Sequence, residues 1–453
     1  MSSLLDLIIL GGSVVTPGGV QRVDLGIAAG RIVKMSAGLG EPATEIIDAA
    51  GWHVFPGILD AHVHFNEPGR TEWEGLASGS SALAAGGGTW FCDMPLNSLP
   101  PVLDAASFAQ KKTLAEQKAV TDFSLWGGLV PGNLDQLAGL RDAGALGLKA
   151  FMCSSGVDEF TNVDAATLRA GMKRAAQLDL LVAVHAEDND LAAKYLATQR
   201  ALGTDAATWL ASRPVELELA AIRTATEIAG ETGCALHIVH VSSPEGIALI
   251  TAAKKKGVNV TAETCPHYLL LNADDVLRQG APAKCAPPLR AEAQRRGLWR
   301  AAEMGDIDTL GSDHSPAPPD LKSSADFFAI WGGISGCQHA FPLLLSETLA
   351  RDAQALPRLA RQLAANVALR FRLPHKGRLA VGYDADFSLL HLDSEHILQN
   401  SELLYRHPQG PYDGRRSSVR VVRTVVRGQT VYHEGRIASG VPRGQFLRPT
   451  MQP

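Results

Sequence analysis

The stretch FPGILDAHVHF at residues 55–65 decides the fold, because its apolar run ends in two histidines spaced two apart. Short apolar runs of this kind recur along the middle of the chain, and patterns typical of helices separate them, as at 165–178 and 214–233. With the first run extended back to residue 53, the strand candidates are 53–65, 87–95, 122–130, 147–152, 180–187, 235–243, 259–269 and 308–315.

This alternation of strands and helices, which spans about 320 residues, predicts an α/β protein built on a (β/α)8 TIM-like barrel. An open doubly wound sheet is the alternative. The glycines of residues 11–19 do not favour it, because they lack the G-x-G-x-x-G spacing of dinucleotide-binding folds.

The two ends of the chain differ from the middle. Residues 1–53 alternate apolar and polar residues between Gly-rich turns, and a similar texture returns in residues 371–453. We therefore expect one small β-sandwich domain assembled from both termini, 1–53 and 371–453, with the barrel over residues 54–370.

Composition narrows the class of protein. The chain of 453 residues is 46% hydrophobic and 20% charged, with a formal net charge of −5, so a large buried core is expected. The absence of a basic patch argues against nucleic acid and anionic membranes as partners. The N-terminus has no signal-peptide pattern, no run reaches membrane-spanning length, and six scattered cysteines without a CxxC favour a reducing cytoplasmic location.

Six residues of metal-ligand type stand at the ends of the predicted strands, where a barrel of this kind carries its active site. They are His62, His64, Lys149, His185, His240 and Asp313. His62 and His64, two apart on a strand, share one face and suit a divalent metal. A pair of satisfied core histidines is the alternative for an isolated H-x-H, and the other four residues disfavour it.

Lys149 lies in the apolar segment 147–152 with no carboxylate near it in sequence. Burial would lower the pKa of its ammonium towards the neutral amine, which can take up carbon dioxide to give an anionic carbamate. That anion would bridge two metals. The alternative is a lysine whose ammonium reaches solvent or a distant acid. This alternative is favoured for a lone lysine, but the other five ligand-type residues disfavour it.

Asp313 follows an apolar strand and is suited both to bind a metal and to accept a proton. Two metals that flank one water lower the pKa of that water and polarise a carbonyl, a combination suited to hydrolysis of an unreactive C–N bond. By strand parity, we expect His237 to lie at the strand–helix interface and His314 to point away from Asp313.

At these residues the chain resembles the amidohydrolase superfamily, and within it the cyclic amidases: dihydroorotase, hydantoinase (dihydropyrimidinase) and allantoinase. The finer motifs resemble the allantoinase branch most. They are HVHFNEPGRTEWEG at 62–75, DMPLN at 93–97, SRPVELE at 212–218, HVSSPEG at 240–246, ETCPHYL at 263–269, SDHSPAPPDLK at 312–322 and WGGISG at 331–336.

The resemblance implies opening of the hydantoin ring of allantoin to give allantoate, in purine and ureide catabolism. It implies one divalent metal on His62, His64 and Asp313 and a second on His185 and His240, bridged by Lys149 as N6-carboxylysine. Asp313 would act as general base and acid, moving a proton from a metal-bridging hydroxide to the leaving nitrogen. Zinc is the expected metal, with cobalt, manganese and nickel as alternatives.

The resemblance also implies a homotetramer and substrate contacts at Asn97, Ala286 and Gly333. Ala286 stands where relatives often have serine, a harmless change if the backbone makes that contact. Asn66 occupies the position at which dihydroorotases carry a carboxylate-binding arginine, and Ser154 that of a hydantoinase tyrosine, so a neutral ureide is favoured. Two alternatives stay open, a hydantoinase (dihydropyrimidinase) and a non-catalytic scaffold relative, although the latter should lack several of the six ligand-type residues.

Overall fold

The computed structural model describes residues 4–438 and 444–450. Over the N-terminal half of this part of the chain, the strands are β1 (Leu5–Leu10), β2 (Ser13–Thr16), β3 (Gly19–Arg22), β4 (Asp24–Ala28), β5 (Arg31–Ser36), β6 (Ala43–Asp48), β7 (His53–Pro56), β8 (Ile58–Val63), β9 (Gly88–Asp93), β10 (Asp122–Leu125), β11 (Gly127–Gly128), β12 (Leu148–Phe151) and β13 (Val182–His185). The later strands are β14 (Leu236–Ile238), β15 (Val260–Thr264), β16 (Thr309–Leu310), β17 (Phe387–His391), β18 (His396–Ile397), β19 (Arg416–Ser417), β20 (Arg420–Val426), β21 (Gln429–His433) and β22 (Arg436–Ile437).

The α-helices lie mostly between the strands of the middle region. They are α1 (Leu76–Ala85), α2 (Ala105–Lys118), α3 (Leu137–Ala143), α4 (Ala165–Gln177), α5 (Asn189–Arg200), α6 (Ala206–Ala211), α7 (Val215–Thr232), α8 (Pro244–Lys255), α9 (Pro266–Leu270), α10 (Ala273–Gln279), α11 (Glu292–Met304), α12 (Ala340–Arg351), α13 (Leu356–Ala360) and α14 (Asn366–Arg370). Within the described residues, no helix is both long and apolar enough to cross a membrane.

The middle region is a parallel β/α array, and every strand segment predicted from the sequence forms a strand. β8, β9 and β10 make one parallel sheet, and β11 to β16 follow in chain order as a second. Hydrogen bonds link the two sheets at both edges, from Leu146 N to Leu125 O (2.9 Å) and from His64 N to His314 O (2.8 Å). We call β8 to β16 the parallel strands; their carboxyl ends carry the candidate site.

The first predicted strand is divided in two at Gly57. A Cβ on this residue would lie 2.1 Å from Thr89 Oγ1, so only glycine fits there. The part before it, β7, pairs with β2 and β17, whereas β8 pairs with β9. The chain therefore passes from the terminal sheets into the parallel strands at this glycine.

Strands from both chain ends share one sheet, as the sequence texture indicates. Its order is β22-β21-β20-β17-β7-β2-β3, and a second sheet has the order β5-β4-β1-β6. Buried apolar residues that include Ile27, Val54 and Phe387 form a common core between strands of the two sheets. Buried Lys376, which ion-pairs with Asp122 of β10 at 2.7 Å, attaches these sheets to the parallel strands.

The helices that follow the parallel strands begin and end at recognisable signals. α8 begins at Ser243, whose side chain accepts a hydrogen bond from Gly246 N, with Pro244 in the first turn. α7 ends at Gly233 in the left-handed conformation (φ 68°). Because Ser243 caps α8 directly after β14, the segment between them, which carries His240, is short.

Candidate metal centre and substrate cavity

A cavity of about 410 Å³ opens at the carboxyl ends of the parallel strands. All six ligand-type residues and the three predicted substrate contacts line this one cavity. These residues are His62, His64, Asn97, Lys149, His185, His240, Ala286, Asp313 and Gly333. Residues more than 250 positions apart in the chain therefore meet in one place.

His62, His64 and Asp313 form the first cluster of ligand atoms. His62 Nε2 and His64 Nε2 lie 3.1 Å and 3.3 Å from Asp313 Oδ1. One ligand atom of each residue lies within 4.8 Å of the others, a spacing that can hold a metal ion. Both histidines are buried. The arrangement matches the ligand chemistry of a divalent transition metal.

His185 and His240 form a second cluster beside the first. Their ring centroids are 4.6 Å apart, and His240 lies 5.4 Å from His62. His185 ends β13, and its ring stacks on Phe151 with 4.7 Å between centroids. Three imidazoles therefore face one another across the floor of the cavity.

Among the six ligand-type residues, the backbone of two adopts the left-handed conformation, which is uncommon for residues other than glycine. His240 has φ 41° and Asp313 has φ 45°. Each follows the end of a parallel strand, β14 or β16, and the unusual φ turns the side chain into the cavity. Such conformations cost on the order of 1–3 kcal/mol and concentrate at functional sites.

Lys149 is fully buried in β12, and among the described residues its Nζ has no hydrogen-bond partner. The nitrogen lies 5.1 Å from the centre of the Phe151 ring. Burial lowers the pKa of this amine to about 8, although Asp313 and Glu263 act in the opposite direction. The buried amine without a partner is what carbamate formation requires.

Glu263 at the end of β15 was not singled out by the sequence reasoning, yet it connects directly with the site. Its Oε1 lies 2.8 Å from His62 Nδ1 and its Oε2 lies 3.4 Å from His237 Nε2. Burial favours the neutral acid, but His237 and His62 outweigh it and lower the pKa of Glu263 to about 2. Burial acts to lower the pKa of His62, but Asp313 and Glu263 outweigh it and raise this pKa to about 9. The surroundings of the His62 ring therefore favour a positive charge.

The prediction that His237 lies at the strand–helix interface is wrong. Its ring packs edge-on against Phe371 at 5.2 Å, and its Nδ1 is 2.7 Å from Thr261 Oγ1, so it shares the side of β14 that Glu263 occupies on β15. The spacing of three to His240 does not set the face, because β14 ends at Ile238 and the chain turns before His240. His314 does point away from Asp313, with its Nδ1 accepting a hydrogen bond from Gly336 N.

Glu187 contacts His185 in the same way that Glu263 contacts His62. Its Oε2 lies 2.8 Å from His185 Nε2 and also pairs with Arg213. Burial acts against ionisation of Glu187, but Arg213 and His185 outweigh it and lower the pKa to about 2. Cys153, His185 and Glu187 are also close enough to hold a metal ion, but the guanidinium of Arg213 already neutralises Glu187 there. The remaining nitrogen of His185, Nδ1, is the one left for a metal.

The three predicted substrate contacts, Asn97, Ala286 and Gly333, all line the cavity. Asn97 Nδ2 lies 3.3 Å from His64 Nδ1. A Cβ at Gly333 would lie 2.2 Å from Ser315 O, so this position requires glycine. Asn66, by contrast, does not line the cavity, and its Nδ2 donates to Pro316 O at 3.3 Å. Asn66 therefore disfavours a carboxylate-bearing substrate by supplying no cation, and not by a direct polar contact with the substrate.

One wall of the cavity is the segment 328–333, which two lysines hold by its backbone. Lys284 Nζ donates to Phe327 O at 2.6 Å and also to Ile330 O. Lys322 Nζ donates to Gly333 O at 2.6 Å and to Trp331 O at 3.0 Å. Burial lowers the pKa of each of these lysines to about 7.

The fold and this arrangement of ligands are those of a metal-dependent hydrolase, and the comparison with known families agrees. The Amidohydrolase family matches residues 53–431. The chain belongs to the amidohydrolase family.

Among curated relatives, the chain is 51% identical over 446 residues to an allantoinase from Deinococcus radiodurans, covering 98% of this chain and 99% of that protein. It is 49% identical over 448 residues to an allantoinase from Rubrobacter xylanophilus, covering 99% and 98%. Among solved structures, an L-hydantoinase (dihydropyrimidinase) from Arthrobacter aurescens superposes with a TM-score of 0.96 at 33% identity, covering 98% of this chain and 100% of that one.

Proposed function

We propose that this protein hydrolyses the hydantoin ring of allantoin to give allantoate. The observation that carries the proposal is the cavity in which two clusters of ligand atoms flank the unpartnered amine of Lys149. The allantoinases that are 51% and 49% identical along nearly the whole chain support the choice of ring.

His62, His64 and Asp313 would hold one divalent metal, and His185 and His240 a second. Lys149, as a carbamate derived from carbon dioxide, would lie between the two. The donor set of imidazole, carboxylate and carbamate fits zinc first, and also cobalt, manganese or nickel. When bound, two such metals lower the pKa of a water molecule and polarise the substrate carbonyl.

Asp313 is the residue placed to move the proton. Its carboxylate faces His62 and His64 at the floor of the cavity, where an attacking water must lie. Hydrolysis adds water across the ring C–N bond: the carbon gains oxygen, the bond to nitrogen breaks and the nitrogen takes a proton. Asp313 accepts the proton that the water gives up and donates it to the leaving nitrogen.

The charges around the cavity favour a neutral substrate. Arg213 lines the cavity, but Glu187 neutralises it, and Asn66 supplies no cation. Asn97, Ser154 and the backbone at Gly333 offer hydrogen bonds without net charge. A carboxylate-bearing ring would have no unpaired arginine to bind it, whereas a ureide rich in hydrogen-bonding groups matches the lining.

The test is hydrolysis of allantoin by purified, metal-loaded protein beside hydantoin, dihydrouracil and dihydroorotate. We expect strong turnover of allantoin alone. A preference for hydantoin or dihydrouracil would assign the chain to the hydantoinase branch. The structural match to the L-hydantoinase, with a TM-score of 0.96, is the observation that favours this alternative. Bound metals without turnover of any of the four rings would contradict the substrate class.

The architecture that goes with this function is a (β/α)8 barrel over residues 54–370, with a β-sandwich domain contributed by 1–53 and 371–453. The hydrogen bonds that link the parallel strands at both edges support a closed barrel. We further propose a cytoplasmic homotetramer. Sedimentation equilibrium of the purified protein tests the assembly, and a mass of one or two chains would contradict it.

A further inference from the structure

A second cavity, of about 470 Å³, lies at the opposite ends of the parallel strands. Residues that lead directly into five consecutive strands, β12 to β16, line it. They are Leu146, Leu181, Ala235, Asn259 and Asp308. Because the candidate metal centre occupies the carboxyl ends of the same strands, the two cavities are separate and share no lining residue. The amino ends of such strands ordinarily serve stability, so a cavity there needs its own explanation.

Four arginines line this second cavity, namely Arg141, Arg370, Arg372 and Arg448. Two of them are neutralised by neighbouring aspartates. Arg372 Nη2 lies 2.8 Å from Asp179 Oδ1, and Arg141 Nε lies 2.8 Å from Asp142 Oδ1. The third aspartate of the lining, Asp308, accepts hydrogen bonds from Lys254 and from Ala262 N. The acidic side chains of the cavity are therefore already occupied.

The other two arginines have no carboxylate in ion-pair contact among residues 4–438 and 444–450. Arg370 donates to Asn259 Oδ1 at 2.7 Å and to Leu236 O, and its buried Nε has no hydrogen-bond partner in the same ranges. Burial lowers the pKa of Arg370 to about 10, against a weaker opposing effect of Asp308. Arg448, at the rim, donates to the backbone oxygen of Asp142 at 2.7 Å.

The rest of the wall is largely apolar, with contributions from Leu146, Leu181, Leu369, Phe371 and Pro449. A cavity of this volume accommodates a compact ring system. Unpaired guanidinium groups beside an apolar wall are the elements that recognise an anionic group on a hydrophobic body.

We propose that this cavity binds a small organic anion, with Arg370 and Arg448 contacting its charged group and the apolar wall covering its body. The charged group is a carboxylate or a phosphate monoester, since guanidinium binds both in the same forked geometry. The site is distinct from the candidate metal centre, and the proposal holds whichever ring that centre hydrolyses.

Isothermal titration calorimetry on the metal-loaded protein tests the proposal with three matched probes. These are naphthalene-2-carboxylate, 2-naphthyl phosphate and the neutral naphthalene-2-carboxamide. We expect at least one anion to bind once per chain, and the amide to bind at least about tenfold more weakly, because the charged hydrogen bonds are lost. The tighter of the two anions identifies the charged group.

Arg448→Gln and Arg370→Gln should each weaken the anion at least about tenfold. Arg300→Gln, on the exposed face of α11, is the matched control and should leave binding unchanged. Arg448→Gln keeps the test informative if Arg370→Gln fails to fold, because Arg448 is exposed and donates to the backbone of Asp142 in the helix α3. The proposal would be overturned if the amide bound as tightly as the anions. It would also be overturned if Arg448→Gln left anion binding intact, which is the result expected for an anion that binds at the metals. The absence of binding at about 1 mM probe would overturn it as well.

Discussion

Glu263 and His62 are joined by a hydrogen bond of 2.8 Å between Oε1 and Nδ1 at the base of the candidate metal centre. The low pKa of Glu263, about 2, makes it a carboxylate that only accepts, so His62 Nδ1 carries the proton. The other nitrogen, Nε2, faces Asp313 Oδ1 at 3.1 Å and is the one left to bind a metal. A residue outside the ligand set thus fixes which nitrogen of His62 is available.

Replacing Glu263 with glutamine should weaken metal binding while leaving the ligands in place. The amide is nearly isosteric but lacks the charge that orients both His62 and His237. We expect metal affinity to fall about 10- to 100-fold, with activity restored by excess metal. Metal content after dialysis against graded chelator measures this. Glu227→Gln on the exposed side of α7 is the control, and equal metal retention in both variants would refute the role.

Lys149→Ala should lose both metals and activity together, because the carbamate that we propose between the two clusters can no longer form. The vacated volume is buried and faces the cavity, so a small carboxylate such as propionate should restore part of the activity by standing in for the carbamate. Metal content by mass spectrometry and turnover with and without propionate are the measurements. Lys194→Ala, exposed on α5, should behave as the parent protein. Two metals and full activity in Lys149→Ala would show that the bridging role is wrong.

Asp313→Ala should abolish turnover even where metal remains. His62, His64, His185 and His240 would still offer four nitrogen ligands, whereas the group that we propose transfers the proton is gone. General acid–base groups contribute about 10²- to 10⁴-fold, so the loss of kcat should be at least of that size. Steady-state kinetics at saturating metal, with exposed Asp190→Asn as the control, separates this from simple metal loss. A variant with full metal and more than about a tenth of the parent kcat would exclude the proton-transfer role.

The sequence predicts the parallel strands and their ligand-type residues because both are local signals. Each apolar run is short and continuous, and five of the eight predicted strand segments carry the ligand-type residues. The six residues share a cavity as a consequence of the parallel arrangement, in which all carboxyl ends meet at one edge.

Glu263 is not predicted and His237 is assigned to the wrong face, because their partners come from pairing between strands that are distant in sequence. His237 and His240 would lie on opposite faces only if the chain stayed extended between them, but β14 ends at Ile238 and His240 is left-handed. The division of the first predicted strand likewise depends on the contact of Gly57 with Thr89, which no local pattern reveals.

Lys322 should position the substrate instead of taking part in the chemistry. Its ammonium donates hydrogen bonds to the carbonyls of Trp331 and Gly333. These hydrogen bonds hold the segment 328–333 in the wall of the cavity. Lys322→Met keeps the apolar stem and removes these two hydrogen bonds together with a longer one to Ala281 O at 3.4 Å. A hydrogen bond to a charged group contributes about 1.5–3 kcal/mol.

We expect KM for the substrate to rise at least about tenfold while kcat stays within about threefold, because the wall loosens but the ligand clusters are untouched. Steady-state kinetics of Lys322→Met beside Lys256→Met, an exposed lysine at the end of α8, measures the difference. A fall in kcat at constant KM, or no change in either constant, would show that this wall does not position the substrate.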